Sequence, residues 1–201
     1  MNPLLPEDIQ RRLVLASRSP RRIDILRSLG FEFRVEPAHI DEDDASIASD
    51  PFTLPQELAR LKAEDVAARF PNSLVIGADT VVILDNNLMN KPKDDCEAHS
   101  FLTRLSGNVH TVVTGLTVRQ RSKDILLSAR EETRVRFRDL TEAEIVNYVA
   151  SGEGRDKAGS YAVQGLGACL VRSIEGCYFN VVGLPVVLLF EMMTRSARMC
   201  R

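Results

Sequence analysis

The chain has 201 residues, 44% of them hydrophobic, and a formal net charge of −2. This suits one domain, or one domain with a small lobe, with an ordinary buried core, and it excludes a disordered chain. No basic excess points to nucleic acid, no apolar run is long enough to span a bilayer, and Met1 to Arg12 lacks a signal-peptide core, so the expectation is a cytoplasmic protein with neither nucleic acid nor membrane as partner.

In chain order, Leu13-Val14-Leu15-Ala16 reads as a strand and Ser17-Arg18-Ser19-Pro20-Arg21-Arg22 as a turn into a helix. Ser19 suits the N-cap, Pro20 the first helical position, and Gly30 the end. Phe31 to Val35 reads as a short strand. The acidic run Asp41-Glu42-Asp43-Asp44 follows, then a helix opened by a Thr53/Gln56 capping box, with Leu58, Leu61 and Val66 on one face. Leu74-Val75-Ile76 is a buried strand that Gly77-Ala78-Asp79-Thr80 interrupts and Val81 to Leu84 resumes. Turns are expected at Asp85-Asn86-Asn87 and Asn90-Lys91-Pro92, and a helix with Ala98, Phe101, Leu102 and Leu105 inside. Val109 to Arg119 and Asp124 to Arg138 read as two long antiparallel strands. A Thr141/Glu144 capping box opens a helix with Ile145, Tyr148 and Val149, and a glycine-rich segment runs from Gly152 to Gly167. Strands at Ala168 to Ile174 and Tyr178 to Val182 precede a last helix, from Pro185 to about Thr194. The ends, 1–11 and 196–201, are expected to be flexible. Helices alternate with strands around one long hairpin, so the fold class is α/β with a mixed sheet.

The first helix start carries the strongest chemical signal. Arg21 and Arg22 lie in its first turn, where the helix dipole disfavours cations by about 0.3–1 kcal/mol each. With free amides and the Ser17 and Ser19 hydroxyls they compose an anion site suited to phosphate; the alternative is a surface helix that begins with arginines. Asp79 falls where strand burial is expected. It reads as a general base or metal ligand, or else as the cap of a tight turn at a strand break. Asp41 and Glu42 can supply oxygen ligands to Mg²⁺, while Asp43 and Asp44 read as solvated loop. Lys62, Lys91 and Lys157 are candidate phosphate cations. Lys62, on a helix, can also be simply exposed; Lys91 and Lys157 sit in loops, where sites concentrate.

Other signals are negative. Gly159, Gly165 and Gly167 form neither a dinucleotide fingerprint nor a P-loop. His39, His99 and His110 show no ligand spacing, and Ser17 and Ser19 lack a partner base at a telling spacing. Cys96, Cys169, Cys177 and Cys200 are far apart with no CxxC pair, which suggests neither a zinc site nor a disulfide framework.

Four motifs then occur in order: Leu15-Ala16-Ser17-Arg18-Ser19-Pro20-Arg21-Arg22, Gly77-Ala78-Asp79-Thr80-Val81-Val82, Lys91-Pro92, and Asp156-Lys157-Ala158-Gly159-Ser160-Tyr161-Ala162-Val163-Gln164-Gly165. Together they resemble the Maf family of nucleoside triphosphate pyrophosphatases, over about Leu13 to Met193. Asn90 departs from the glycine or glutamate more usual there. The resemblance implies a single domain over 1–201 with a twisted mixed sheet flanked by helices, two lobes around a cleft, related to the inosine triphosphate pyrophosphatases. It implies hydrolysis between the α- and β-phosphates, a divalent metal (Mg²⁺ or Mn²⁺), a nucleoside triphosphate substrate and a homodimer. Carried over by position, Asp79 is the proton acceptor, and Arg21, Thr80 and Gln164 bear on substrate choice. Ser17, Arg22, Glu42, Lys62, Lys91 and Lys157 line the cleft, with Glu42 able to share a metal with Asp79. A glutamine amide can accept from the imide N–H of thymine or uracil and donate to the neighbouring carbonyl. Gln164 therefore resembles the dTTP/UTP branch, the branch acting on 7-methylguanosine triphosphate usually carrying glutamate. The rival readings are a 7-methyl-GTP pyrophosphatase, a nucleotide-binding regulator of septum formation with little turnover, and a nucleotidyltransferase.

Overall fold

The computed structural model describes residues 2–42, 44 and 47–199. Asp43 of the acidic run, Cys200 and Arg201 lie outside the described residues. Seven strands form one mixed sheet in the order β2-β1-β3-β5-β6-β7, with β4 (Asn87–Met89) paired to β3. β1 (Leu13–Leu15) runs parallel to β2 (Arg34–Val35) and to β3 (Leu74–Leu84). β4 is antiparallel to β3, and β7 (Val171–Glu175) is antiparallel to β6 (Ile125–Phe137). β5 (Val109–Gln120) neighbours β6 and joins it through a 3₁₀ turn at Arg121–Lys123, a link short enough to require antiparallel strands. The α/β class with a mixed sheet is as the sequence implied.

The chain divides into two compact units. The first comprises residues up to Asp79, Thr114–Glu131 and Gly183 onward. It holds α1 (Glu7–Gln10), α2 (Pro20–Ser28), α3 (Leu54–Arg69) and α7 (Val186–Met199). Val14 of β1, Ala16 just after it and Val75 of β3 pack with Ala63, Val66 and Ala67 of α3 in its core. Two glycines let α3 lie hard against the strands. A Cβ on Gly77 would stand 2.2 Å from the Ala59 carbonyl oxygen, and one on Gly115 2.1 Å from that of Pro55.

The second unit comprises Thr80–Val113 and Glu132–Val182. Here α4 (Asp95–Leu105) packs on α5 (Glu142–Ser151) and on the 3₁₀ turn Ala158–Ser160. The Thr141/Glu144 capping box forms as expected. Arg138 grips Glu144 with both terminal nitrogens, and this bond, with those from Thr141, holds the Glu144 carboxyl down at about 2. His110, Phe137 and Tyr161 meet edge to face, with ring centroids 4.8–5.3 Å apart, and His110 Nε2 is hydrogen-bonded to the Tyr161 hydroxyl at 2.7 Å.

Several expectations are corrected. The Gly77–Thr80 break does not exist: β3 is continuous from Leu74 to Leu84, because Gly77 serves helix packing and not a turn. The Thr53/Gln56 capping box is not made. Thr53 is itself near-helical, its hydroxyl donates to Asp50 O, and Leu61 is only half-buried. Ser19 takes the N-cap position of α2, but its side chain makes no capping bond. The turn at 85–87 is a two-residue hairpin on Asp85 and Asn86, both at positive φ, so Asn87 opens β4, a strand the sequence reading missed. Phe31 to Val35 yields only Arg34–Val35, and a 3₁₀ turn at Gly165–Cys169 delays β7 to Val171. Tyr178 to Val182 is a helix, α6, and not a strand. The buried Asn180 side chain donates to Val112 O and Thr133 Oγ1, and Cys177 O accepts from the Asn180 and Val181 amides. The last helix reaches Met199, beyond Thr194, and the buried Ser196 hydroxyl bonds Met193 O within it.

Burial pushes His110 down from 6.5 to about 4. An unfolded chain takes up this proton near pH 6.5, whereas the fold refuses it until about pH 4, so the stability at stake is complete above 6.5 and lost on acidification toward 4. That amounts to roughly 3 kcal/mol. The Glu144 effect occupies a lower window, between 4.5 and 2. Urea unfolding at about pH 7 and about pH 5 should therefore show a clear loss, and His110→Gln should flatten it; an equal slope in that variant would refute the assignment.

Candidate active site

The expected site residues fall into two groups, one in each unit. In the first unit, Arg22 is buried at the start of α2. Its Nε donates to Gly183 O at 2.8 Å and its Nη1 to Ser17 Oγ at 3.1 Å; Ser17 Oγ also accepts from the Ser19 amide at 3.2 Å. The turn before α2 is thereby wound around a fixed guanidinium. Burial lowers the Arg22 pKa, the negative charges of Asp79 and Glu42 act against that, and Arg21 adds to it. Arg21 is half-buried in the same first turn, and Arg18 is exposed.

The alternative that Lys62 is a solvated helix residue is overturned. Its side chain is 9% exposed, and its Nζ lies 2.8 Å from Asp79 Oδ1 and 2.9 Å from Glu42 Oε2. The reason lies in the strand period. Gly77 and Asp79, two residues apart, share one face of β3. Gly77 admits Ala59 and Ala63 of α3 to contact distance, and so Lys62, beside Ala63, reaches Asp79. Asp79 therefore caps no turn. It is a largely buried carboxylate in a continuous strand, matched by one ammonium that it shares with the half-exposed Glu42.

These two carboxylates present hard oxygen donors on either side of one ammonium. Among the described residues no group of three or more His, Cys, Asp or Glu could hold a metal ion. The donor set is sparse and all-oxygen, which suits a cation that keeps waters and takes substrate phosphate oxygens as further ligands, as Mg²⁺ does.

In the second unit, Lys157 Nζ donates to Glu153 O and to Asp156 Oδ1, each at 2.5 Å. The Gly159 amide donates to Asn90 O at 3.2 Å, which sets the Lys91 turn beside the Lys157 segment. Gly159 has φ +67 and rests on Val82, where a Cβ would stand 3.0 Å from Val82 Cγ1. Lys91 and Gln164 are exposed, and Thr80 is half-buried in β3 directly after Asp79. Among the described residues the side chain of Gln164 has no hydrogen-bond partner. Sequence reasoning missed Gly183, the acceptor for Arg22, and the pair Tyr148 and Glu153 beneath the Gln164 segment. Gly183 gave no signal, since it is 161 residues from its partner. The spacing Gln164-Gly165-Leu166-Gly167 was the available hint of a tight backbone approach.

A family model described as Maf-like protein matches residues 12–196. The chain belongs to the Maf-like family. Curated relatives agree over nearly their full length. A protein of Koribacter versatilis named dTTP/UTP pyrophosphatase is 45% identical over 184 residues, covering 92% of this chain and 94% of that one. A protein of the same name from Thermoanaerobacter sp. (strain X514) is 46% identical over 187 residues, 92% and 96% of the two chains. Another from Dictyoglomus thermophilum is 39% identical over 187 residues, 93% and 97%.

In this Maf-like chain the close approach at Gly77 is what brings Lys62 to Asp79. Gly77→Ala should cost about 1–3 kcal/mol of stability and reduce any activity that depends on Asp79. Denaturant unfolding with the native stability retained would contradict the packing argument.

Proposed function

We propose that this protein hydrolyses dTTP and UTP between the α- and β-phosphates, releasing the nucleoside monophosphate and pyrophosphate. The observation that carries this reading is the buried Asp79 carboxylate, held by Lys62 beside Glu42 within a Maf-like chain. The relatives named dTTP/UTP pyrophosphatase supply the substrate class.

Phosphoanhydride hydrolysis needs charge neutralisation along the phosphates and an oriented water. Asp79 Oδ1 accepts from Lys62, which restrains the carboxylate that would take a proton from the attacking water. The water oxygen bonds to the α-phosphorus, the bridging oxygen leaves with pyrophosphate, and the proton passes to Asp79. Glu42 and Asp79 would hold a divalent metal, Mg²⁺ or Mn²⁺, which supplies charge neutralisation and a more acidic water. Arg21, Lys91 and Lys157 neutralise phosphate oxygens. Ser17 and Arg22 act from within the turn, because two of the Arg22 nitrogens are committed to Gly183 and Ser17. Gln164 reads the base: its amide oxygen accepts from the imide N–H and its amide nitrogen donates to the adjacent carbonyl. Arg21 and Thr80 complete the selection.

A pyrophosphate-release panel of dTTP, UTP, CTP, GTP and 7-methyl-GTP with Mg²⁺ or Mn²⁺ tests this. Turnover should favour dTTP and UTP. Asp79→Asn should lower kcat by about 10²–10⁴-fold, and Gln164→Glu should erode the pyrimidine preference. Binding without turnover across the panel would indicate a nucleotide-binding regulator, and wild-type rates in Asp79→Asn would remove its catalytic role.

A further inference from the structure

The backbone on both sides of Gln164 is tied to one pair of side chains that the chemistry above leaves unused. Before it, the Ala162 amide donates to the Tyr148 hydroxyl at 3.1 Å. After it, the Leu166 amide donates to Glu153 Oε1 at 3.0 Å and the Gly167 amide to Glu153 Oε2 at 2.8 Å. The Tyr148 hydroxyl donates to Glu153 Oε2 at 2.8 Å, so the two anchors form one network.

At its two glycines the segment is wound onto this network without room for a side chain. Gly165 has φ +61, and a Cβ there would stand 2.1 Å from Glu153 Oε1. A Cβ on Gly167 would stand 2.1 Å from Ala162 O and 2.8 Å from the Tyr148 hydroxyl. Three donors converge on one carboxylate, which is acceptor-only and has capacity for all of them. Burial alone would raise Glu153; the hydrogen bonds from Tyr148, Gly167 and Leu166, with the Lys157 charge, outweigh it and keep the carboxylate ionised. The side chain they flank is the opposite case. Gln164 is exposed and has several rotatable bonds, so its placement depends on where its backbone is held.

We propose that Glu153 and Tyr148 are positioning residues for base selection, holding the backbone around Gln164 so that its amide meets the imide edge of a pyrimidine. The inference rests on the base-reading role of Gln164. A glutamine at 153 would turn an amide N–H₂ toward donors, and a phenylalanine at 148 would remove both the bond to Glu153 and the acceptor for Ala162.

The test uses full-length Glu153→Gln, Tyr148→Phe, Gln164→Ala and the Glu153→Gln/Gln164→Ala double variant, with steady-state kinetics on dTTP and GTP. Glu153→Gln should raise KM for dTTP about five- to tenfold while kcat stays within about twofold. Tyr148→Phe should shift KM the same way. In the Gln164→Ala background, Glu153→Gln should change KM for dTTP by less than about twofold, since no amide remains to misplace. Amide hydrogen exchange at Leu166 and Gly167 should quicken in Glu153→Gln. If Gln164→Ala changes neither KM nor the dTTP/GTP preference, the base-reading role fails and this inference with it. If Gln164→Ala shifts both while Tyr148→Phe and Glu153→Gln do not, positioning alone is overturned. A fall in kcat on both nucleotides at unchanged KM, or independent multiplication of the Glu153 and Gln164 effects, also overturns it. Should Glu153→Gln fail to fold, Tyr148→Phe decides.

Discussion

The contact between α3 and β3 at Gly77 governs the first unit. Helix and strand approach so closely that a methyl group on Gly77 would strike the helix backbone. Strand alternation then places Asp79 on the same face two residues further on, where a lysine beside the contacting Ala63 can meet it. Packing and chemistry are thus one arrangement: the apolar contact fixes the separation, and the separation permits a largely buried ion pair. Such a pair contributes little net stability, because desolvation offsets the attraction, yet removing one partner strands the other. Its value lies in holding a carboxylate at a defined place and orientation.

Around that pair the charges are balanced by position. Lys62 shares its ammonium between Asp79 and Glu42, and Arg22 lies near enough to feel both carboxylates. Arg22 is also a structural tie, joining the turn before α2 to Gly183 at the entry to the last helix. A polyanionic ligand meeting this surface would find cations already desolvated and restrained, so little reorganisation would be needed.

Much of this was legible in the sequence, and the exceptions have physical causes. The long β5–β6 hairpin, the α5 capping box and the α4 stripe follow from local periodicity and local hydrogen bonding, and all three form. Gly77 misled, because a glycine between two apolar runs signals a break as readily as a close approach. Lys62 misled because nothing local marks a buried lysine; its partners are 17 and 20 residues away in opposite directions. The segment Tyr178 to Val182 looks strand-like by composition but is bent into a helix by the buried Asn180. In the first unit Ser17 is bonded to Arg22, and Lys62 meets both Glu42 and Asp79, while in the second Lys91 lies beside the Lys157 segment.

The segment around Gln164 has a consequence for how such a protein can change over time. Positions 165 and 167 are confined to glycine by backbone and carboxylate oxygens, whereas Gln164 is exposed. An exchange at 164 alters surface chemistry at a stability cost of only about 0.5 kcal/mol or less, while an exchange on either glycine disturbs the support. On the proposed base-reading role of Gln164, ligand preference can therefore shift by exchange at 164 without passing through an unstable intermediate, because that exposed side chain lies outside the support.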